Sequence, residues 1–185
     1  MNRKNNQISS LLFCDLETSG LRPEIDHILE IAFVLTDEKL NIKAEMEAIQ
    51  RVPVNMLEMT SEVIMMHSKS GLLKEVVTGC LPEVFSETIR TFLKSISTDL
   101  EKKPLLAGSG IHFDRAFLVE KLPWVLDYVH YRNLDVSTIR SCCKMWLPNL
   151  VRHEGSPHRA MADLRLCIKE LAFYSEKLWK VNVNG

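Results

Sequence analysis

Ser10-Leu11-Leu12-Phe13-Cys14-Asp15-Leu16-Glu17-Thr18-Ser19-Gly20 is the stretch whose reading decides the fold. The apolar run from Ser10 to Asp15 reads as a buried strand, and Ser19-Gly20 reads as a turn. Asp15 and Glu17 lie two residues apart, so on a strand both side chains point to one face. Two carboxylates on one face at a strand end repel each other unless a cation sits between them. A solvated strand end is the competing reading, and the pair alone does not decide between the two.

Working outward, His27 to Thr36 is rich in Ile, Val, Leu and Phe and reads as a second strand. Asp37-Glu38-Lys39 is a polar turn, and Asn41 to Arg51 alternates as a third strand would. Strands in sequence with short turns predict an antiparallel meander. Beyond it the period changes. Asn55 to His67 and Gly71 to Thr78 read as short helices. Pro82 to Ile96 carries a helical stripe at Val84, Phe85, Ile89, Phe92, Leu93 and Ile96 with Pro in its first turn. Leu105 to Ala107 reads as a short buried strand, Phe113 to Leu122 as a helix stopped before Pro123, and His130 to Leu134 as another strand. Val136 to Trp146 and the long amphipathic stretch Arg159 to Lys180 complete the helices. The expectation is an α/β fold, a mixed central sheet with helices on both faces.

The 185 residues suit one domain, expected over 10–181 between a flexible tail at 1–9 and a short tail at 182–185. With 46% apolar and 25% charged residues the chain falls in the soluble globular class, and disordered or fibrous readings are excluded. No apolar run reaches the roughly 20 residues of a membrane helix. The basic segment Met1 to Gln7 lacks a secretory core and is too short to read as a mitochondrial presequence. The expected location is cytoplasmic, with the mitochondrion left open. The five cysteines, an odd number, suit free thiols, and adjacent Cys142-Cys143 lacks the spacing of a zinc half-site. A net charge of -1 argues against a grip on many phosphates of a long polyanion. Any nucleic-acid partner is therefore short, or is handled through metal ions.

Two further acids stand in unusual places. Asp114 follows a strand and the turn Gly108-Ser109-Gly110 at the start of a helix, where an ordinary first-turn acid is the plainer reading. Asp163 lies among Ala160, Met161, Ala162, Leu164 and Leu166, five residues after His158. On one helix those two side chains would be about 140° apart. They converge only if His158 lies in the loop before the first turn, which Pro157 permits. Together, four carboxylates and a histidine form a set suited to two divalent cations of the Mg²⁺ or Mn²⁺ kind and to proton removal from an attacking water.

These residues resemble the DEDD exonuclease superfamily in its histidine-containing branch: Asp15-Leu16-Glu17-Thr18-Ser19-Gly20-Leu21, the Asp114 segment, and His158 with Asp163. The likeness narrows to the oligoribonuclease family through Ala107 to Leu118, through His130-Tyr131-Arg132-Asn133-Leu134-Asp135-Val136-Ser137-Thr138, and through His158 to Asp163 with Ile168 to Tyr174. His67-Ser68-Lys69-Ser70-Gly71-Leu72 matches in style. The resemblance implies a ribonuclease H-like exonuclease fold and a 3′→5′ exoribonuclease that degrades very short single-stranded RNA, dinucleotides to about 5-mers, to 5′-mononucleotides. It implies metal ligation by Asp15, Glu17, Asp114 and Asp163, and His158 as general base. It places Leu21 as a wedge against the bases, His67 near the substrate, and Ser137 on the terminal 5′ phosphate. Tyr131 and Arg132 would reach across a homodimer to the neighbouring site; an arginine fork suits a phosphate.

Two positions depart from that pattern. The family carries Gly-Asn-Ser where this chain has Gly108-Ser109-Gly110, so Ser109 is the hydroxyl left to take the missing contact. Glu62 stands where the family carries Trp. Stacking on an aromatic ring is worth about 1–3 kcal/mol per base. Both changes fall where longer substrates would be blocked, and a loosened 5′ cap is expected. The alternatives are a general single-stranded RNA or DNA exonuclease of the same superfamily, and a non-catalytic nucleic-acid-binding relative.

Overall fold

The computed structural model describes residues 9–53, 57–97, 102–151 and 155–179. Three strands open the chain: β1 (Ser10–Thr18), β2 (Ile28–Asp37) and β3 (Ile42–Ile49). They pair antiparallel as the meander expected from the sequence. Helices α1 (Ser61–Ser70), α2 (Leu72–Val76) and α3 (Pro82–Ile96) follow. Then come β4 (Leu105–Gly108), α4 (Ile111–Lys121), β5 (Asn133–Asp135), α5 (Val136–Trp146) and α6 (Ala160–Trp179). The five-stranded sheet has the order β3-β2-β1-β4-β5, with β4 parallel to both β1 and β5.

The two-residue period of β1 sorts its side chains between two cores. Leu12, Cys14 and Leu16 pack with Phe85, Ile89 and Leu93 of α3 and with Ile111, Phe117 and Leu118 of α4. Leu11 and Phe13 pack on the other face with Val136 of α5 and Leu164, Ile168 and Leu171 of α6. Helices therefore cover both faces, as expected. The same alternation carries Asp15 and Glu17 onto the α6 face.

Several boundaries differ from the sequence reading. β1 runs on through both acids to Thr18, because β2 still pairs with it there. The helix expected from Asn55 begins at Ser61, where the Thr60 hydroxyl accepts the Val63 N–H, and it ends at left-handed Gly71. Asn55 and Met56 lie outside the described residues. The strand expected over His130–Leu134 shrinks to Asn133–Asp135, the residues that find partners on β4. Two short 3-10 turns, Pro123–Tyr128 and Pro148–Leu150, were not anticipated; each starts on a proline. The expected tails fall largely on residues 1–8 and 180–185, outside the described residues.

Candidate active site

β1 outlasts its parallel neighbour. β4 pairs with it only from Leu11 to Phe13, so the N–H groups of β1 beyond that point face an open edge. Asp114 fills it: its Oδ1 accepts the Leu16 N–H at 2.9 Å. The chain reaches that position through Gly108 and Gly110. A side chain at Gly108 would place its Cβ 2.8 Å from the Cys14 carbonyl oxygen. Gly110, with φ +77°, adopts the left-handed turn that starts α4. The glycine that replaces the family's serine is thus part of how Asp114 is delivered.

Opposite, α6 presents Asp163. Ala160, Leu164, Cys167, Ile168 and Leu171 form the buried stripe of the helix, and Asp163 lies on its flank. The free N–H groups at the helix start are satisfied by two carboxylates. Asp163 Oδ2 accepts from Arg159 N at 3.0 Å, and Glu30 Oε2, from β2, accepts from Ala160 N at 2.9 Å. Glu30 is fully buried directly across from Glu17. Arg159 offsets that like-charge pair, donating to Glu30 Oε1 through Nη2 at 2.9 Å and Nε at 3.1 Å, and to Glu75 Oε1 through Nη1 at 2.9 Å.

His158 precedes the helix in a left-handed conformation, φ 56°. Outside the helix it escapes the angular conflict with Asp163 and turns into the same cleft. Its ring Nδ1 lies 3.2 Å from the Ser156 hydroxyl, which also accepts the His158 N–H at 3.0 Å.

Asp15, Glu17 and Asp163 bring carboxylate oxygens within 4.8 Å of one another. Burial, then Asp114, Glu17 and Asp163, push the Asp15 carboxyl well above the usual range. Burial, then Asp163, Glu30 and Asp114, push Glu17 up to about 8. Burial raises Asp114 to about 7 although its carboxylate accepts the Leu16 N–H. This is the electrostatic signature of carboxylates gathered for a cation. The donors are all hard oxygens, the set that suits Mg²⁺ or Mn²⁺, so the residues fit the divalent cations that the resemblance implies.

The cleft, about 270 Å³, is lined by Asp15, Glu17, His158 and Asp163 together with Ser109, Arg140 and Glu170. Ser109 therefore shares the cleft with the carboxylates. Arg140 and Glu170 escaped the sequence reading. Arg140 donates to Glu170 through Nε and Nη2, both at 2.7 Å, and to the Ser109 hydroxyl through Nη2 at 3.1 Å. A helical Arg and Glu thirty residues apart give no local signal of pairing.

The remaining expected contacts separate into three cases. Leu21 is 78% exposed beside the Ser19-Gly20 turn, free to meet a ligand, and Tyr131 is 72% exposed with Arg132 over its ring. Ser137 lies in the first turn of α5, where its N–H and hydroxyl both donate to Asp135 Oδ1, the oxygen that also accepts from Gly110 N. The His67 ring has no exposed surface, because α1 packs it against β1, with Nε2 2.9 Å from the Thr18 carbonyl oxygen and Nδ1 3.8 Å from Glu17 Oε2. Glu62 is an exposed acid in the first turn of α1, where the helix N-terminus favours negative charge.

Residues 12–171 match the exonuclease family known as RNase T. The oligoribonuclease of Legionella pneumophila (strain Corby) is 37% identical over 178 residues, 94% of this chain and 93% of that protein. The oligoribonucleases of Pseudoalteromonas atlantica (36%; 93% of this chain, 97% of that protein) and Chromobacterium violaceum (32%; 94% and 97%) are similar over comparable spans. Among solved structures, E. coli exonuclease I in complex with a dT13 oligonucleotide superposes with TM-score 0.70 at 16% identity. That match covers 94% of this chain and 42% of exonuclease I, and it shows the shared fold. Asp15, Glu17, Asp114, His158 and Asp163 all fall within the matched span. This chain belongs to the exonuclease family and, within it, to the oligoribonucleases.

Proposed function

We propose that the chain is a 3′→5′ exoribonuclease that hydrolyses very short single-stranded RNA to 5′-mononucleotides. The observation that carries this reading is the convergence of Asp15, Glu17 and Asp163 within 4.8 Å, in a cleft that also holds His158. Asp15, Glu17, Asp114 and Asp163 would hold two divalent cations, Mg²⁺ or Mn²⁺, which supply Lewis acidity to the attacking and leaving oxygens when bound. His158 is the general base. With Nδ1 engaged by Ser156, its Nε2 is the nitrogen left to take the proton from water. Leu21 wedges against the bases. Arg140 and Ser109 supply donors in the same cleft for the terminal 5′ phosphate, which Ser137 also contacts.

The substrate is short because the cleft is small and the chain carries a net charge of only -1. Tyr131 and Arg132 stand exposed and reach the neighbouring site in a homodimer. One exonuclease domain spans 10–181. Among the described residues no helix is long and apolar enough to cross a membrane, and the working location is cytoplasmic.

With Gly110 and Glu62 at the 5′ end, the length preference is relaxed, so trimers to heptamers are cut at rates near that of the dimer. 5′-labelled RNAs of 2, 3, 5, 7 and 20 nucleotides, incubated with Mg²⁺, Mn²⁺ or EDTA beside Asp163→Ala, test the whole reading. Metal-dependent loss of mononucleotides from the 3′ end, absent in the variant, is expected. Cleavage in EDTA would refute it. A steep collapse at the trimer would refute only the relaxed cap.

A further inference from the structure

Leu21 is 78% exposed, yet the backbone is pinned on both sides of it. Ser19 and His27 close the base of its loop. Ser19 N donates to the His27 carbonyl at 3.0 Å, and His27 N donates to the Ser19 hydroxyl at 2.9 Å. The Thr18 hydroxyl donates to the Gly20 carbonyl at 2.7 Å, which fixes the peptide before Leu21. Asp26 fixes the peptide after it, where Oδ2 accepts the Arg22 N–H at 2.8 Å. The Arg22 side chain closes on the same carboxylate, Nε to Oδ2 and Nη2 to Oδ1, both at 3.2 Å.

Asp26 is 2% exposed, and a buried carboxylate needs bonded partners. The three bonds it accepts from Arg22 stay within the loop and tie no second element to the sheet. The Ser19–His27 pair already closes that loop, so Asp26 shapes its tip rather than the fold. Gly20 points the same way. Its φ is not left-handed, and a Cβ there would lie 2.5 Å from Asp26 Oδ2. The glycine is therefore there to let the carboxylate approach. Ordering an exposed leucine gains the free chain no burial; it leaves less freedom to be lost when a ligand covers the side chain. We infer that Asp26 is a positioning residue that holds Leu21 in the orientation it takes against a base. The inference rests on reading Leu21 as the wedge.

The test combines backbone relaxation of the full chain with hydrolysis of an RNA dinucleotide. The Leu21 amide should have an order parameter of about 0.85 in the wild type and fall below about 0.6 in Asp26→Ala. Leu21→Ala should lower kcat/KM about 10–100-fold, the loss expected when a leucine no longer buries against its target. Asp26→Ala should lower it about 5–10-fold, and no further than Leu21→Ala does, because it acts through that side chain. With Leu21 already alanine, Asp26→Ala should cost nothing more. Asp26→Asn should recover most of the loss, since its amide oxygen still accepts the Arg22 N–H. Mn²⁺ affinity without RNA should be unchanged in Asp26→Ala. An equally ordered Leu21 in Asp26→Ala, a full further loss in the Leu21→Ala background, or weakened Mn²⁺ binding would overturn the inference. If Asp26→Ala does not fold, Arg22→Ala, which removes two of the three bonds from the exposed partner, decides by the same measurements. Unchanged kcat/KM in Leu21→Ala alone would overturn the wedge reading itself, and this inference with it.

Discussion

Replacing Arg159 with alanine should cost about 3 kcal/mol of stability. Glu30 has no exposed surface, and the arginine meets it through two nitrogens at 2.9 and 3.1 Å. Removing one partner of a buried pair costs about 3–5 kcal/mol, because the other charge is left without compensation. The arginine side chain is 25% exposed, which places the loss at the lower end. With a urea m-value of about 2 kcal/mol per molar, the midpoint should fall by roughly 1.5 M. Arg159→Met with Glu30→Leu should recover most of the loss, since an apolar pair needs no partner. What remains is the unsatisfied Ala160 N–H, a cap worth about 1 kcal/mol. A double variant as unstable as the sum of the singles would refute the reasoning, because Glu30 and Arg159 would then not be coupled.

Metal-free protein should lose stability as pH rises from about 4.5 to 8. Glu17 titrates near 8 and Asp114 near 7 in the folded state, so the fold holds protons there that the unfolded chain has released. Saturating Mg²⁺ should flatten that slope in thermal melts, and a slope of opposite sign without metal would refute the assignment. Asp15→Asn should raise the metal-free melting temperature by relieving repulsion, yet lower turnover about 10³-fold or more; a lowered melting temperature would count against a repulsive cluster. His158→Ala should slow hydrolysis about 10²–10⁴-fold, and unchanged turnover would remove its role. Arg140→Met should raise KM for a dinucleotide more than it lowers kcat, since it removes a donor and leaves Glu170 unpaired in the cleft; equal changes in both would argue for a purely structural pair.

The acids of β1 were legible from sequence because strand alternation is strict: once Leu11 and Phe13 face a core, Asp15 and Glu17 face it too. The conflict between His158 and Asp163 on one helix was also visible, and its solution, a left-handed residue after Pro157, needed the structure. Glu30 was hidden by its surroundings. Within His27 to Thr36 it interrupts an apolar strand without a motif, and its partners, Ala160 and Arg159, lie about 130 residues away. Arg140 and Glu170 were hidden for the same reason, because each sits on an ordinary helix and only tertiary packing turns them toward Ser109. The burial of His67 reflects where α1 docks, which local pattern does not report.

The helix start that Glu30 caps also sets a clock on synthesis. Asp15, Glu17 and Glu30 leave the ribosome well before His158 and Asp163, and α6 closes the face only when it lies down on β1 and β2. Domains assemble from the N-terminus as they are made. The emerging polypeptide therefore carries Asp15, Glu17 and Glu30 past the transcript being translated, and these acids meet His158 and Asp163 only after α6 is free of the exit tunnel.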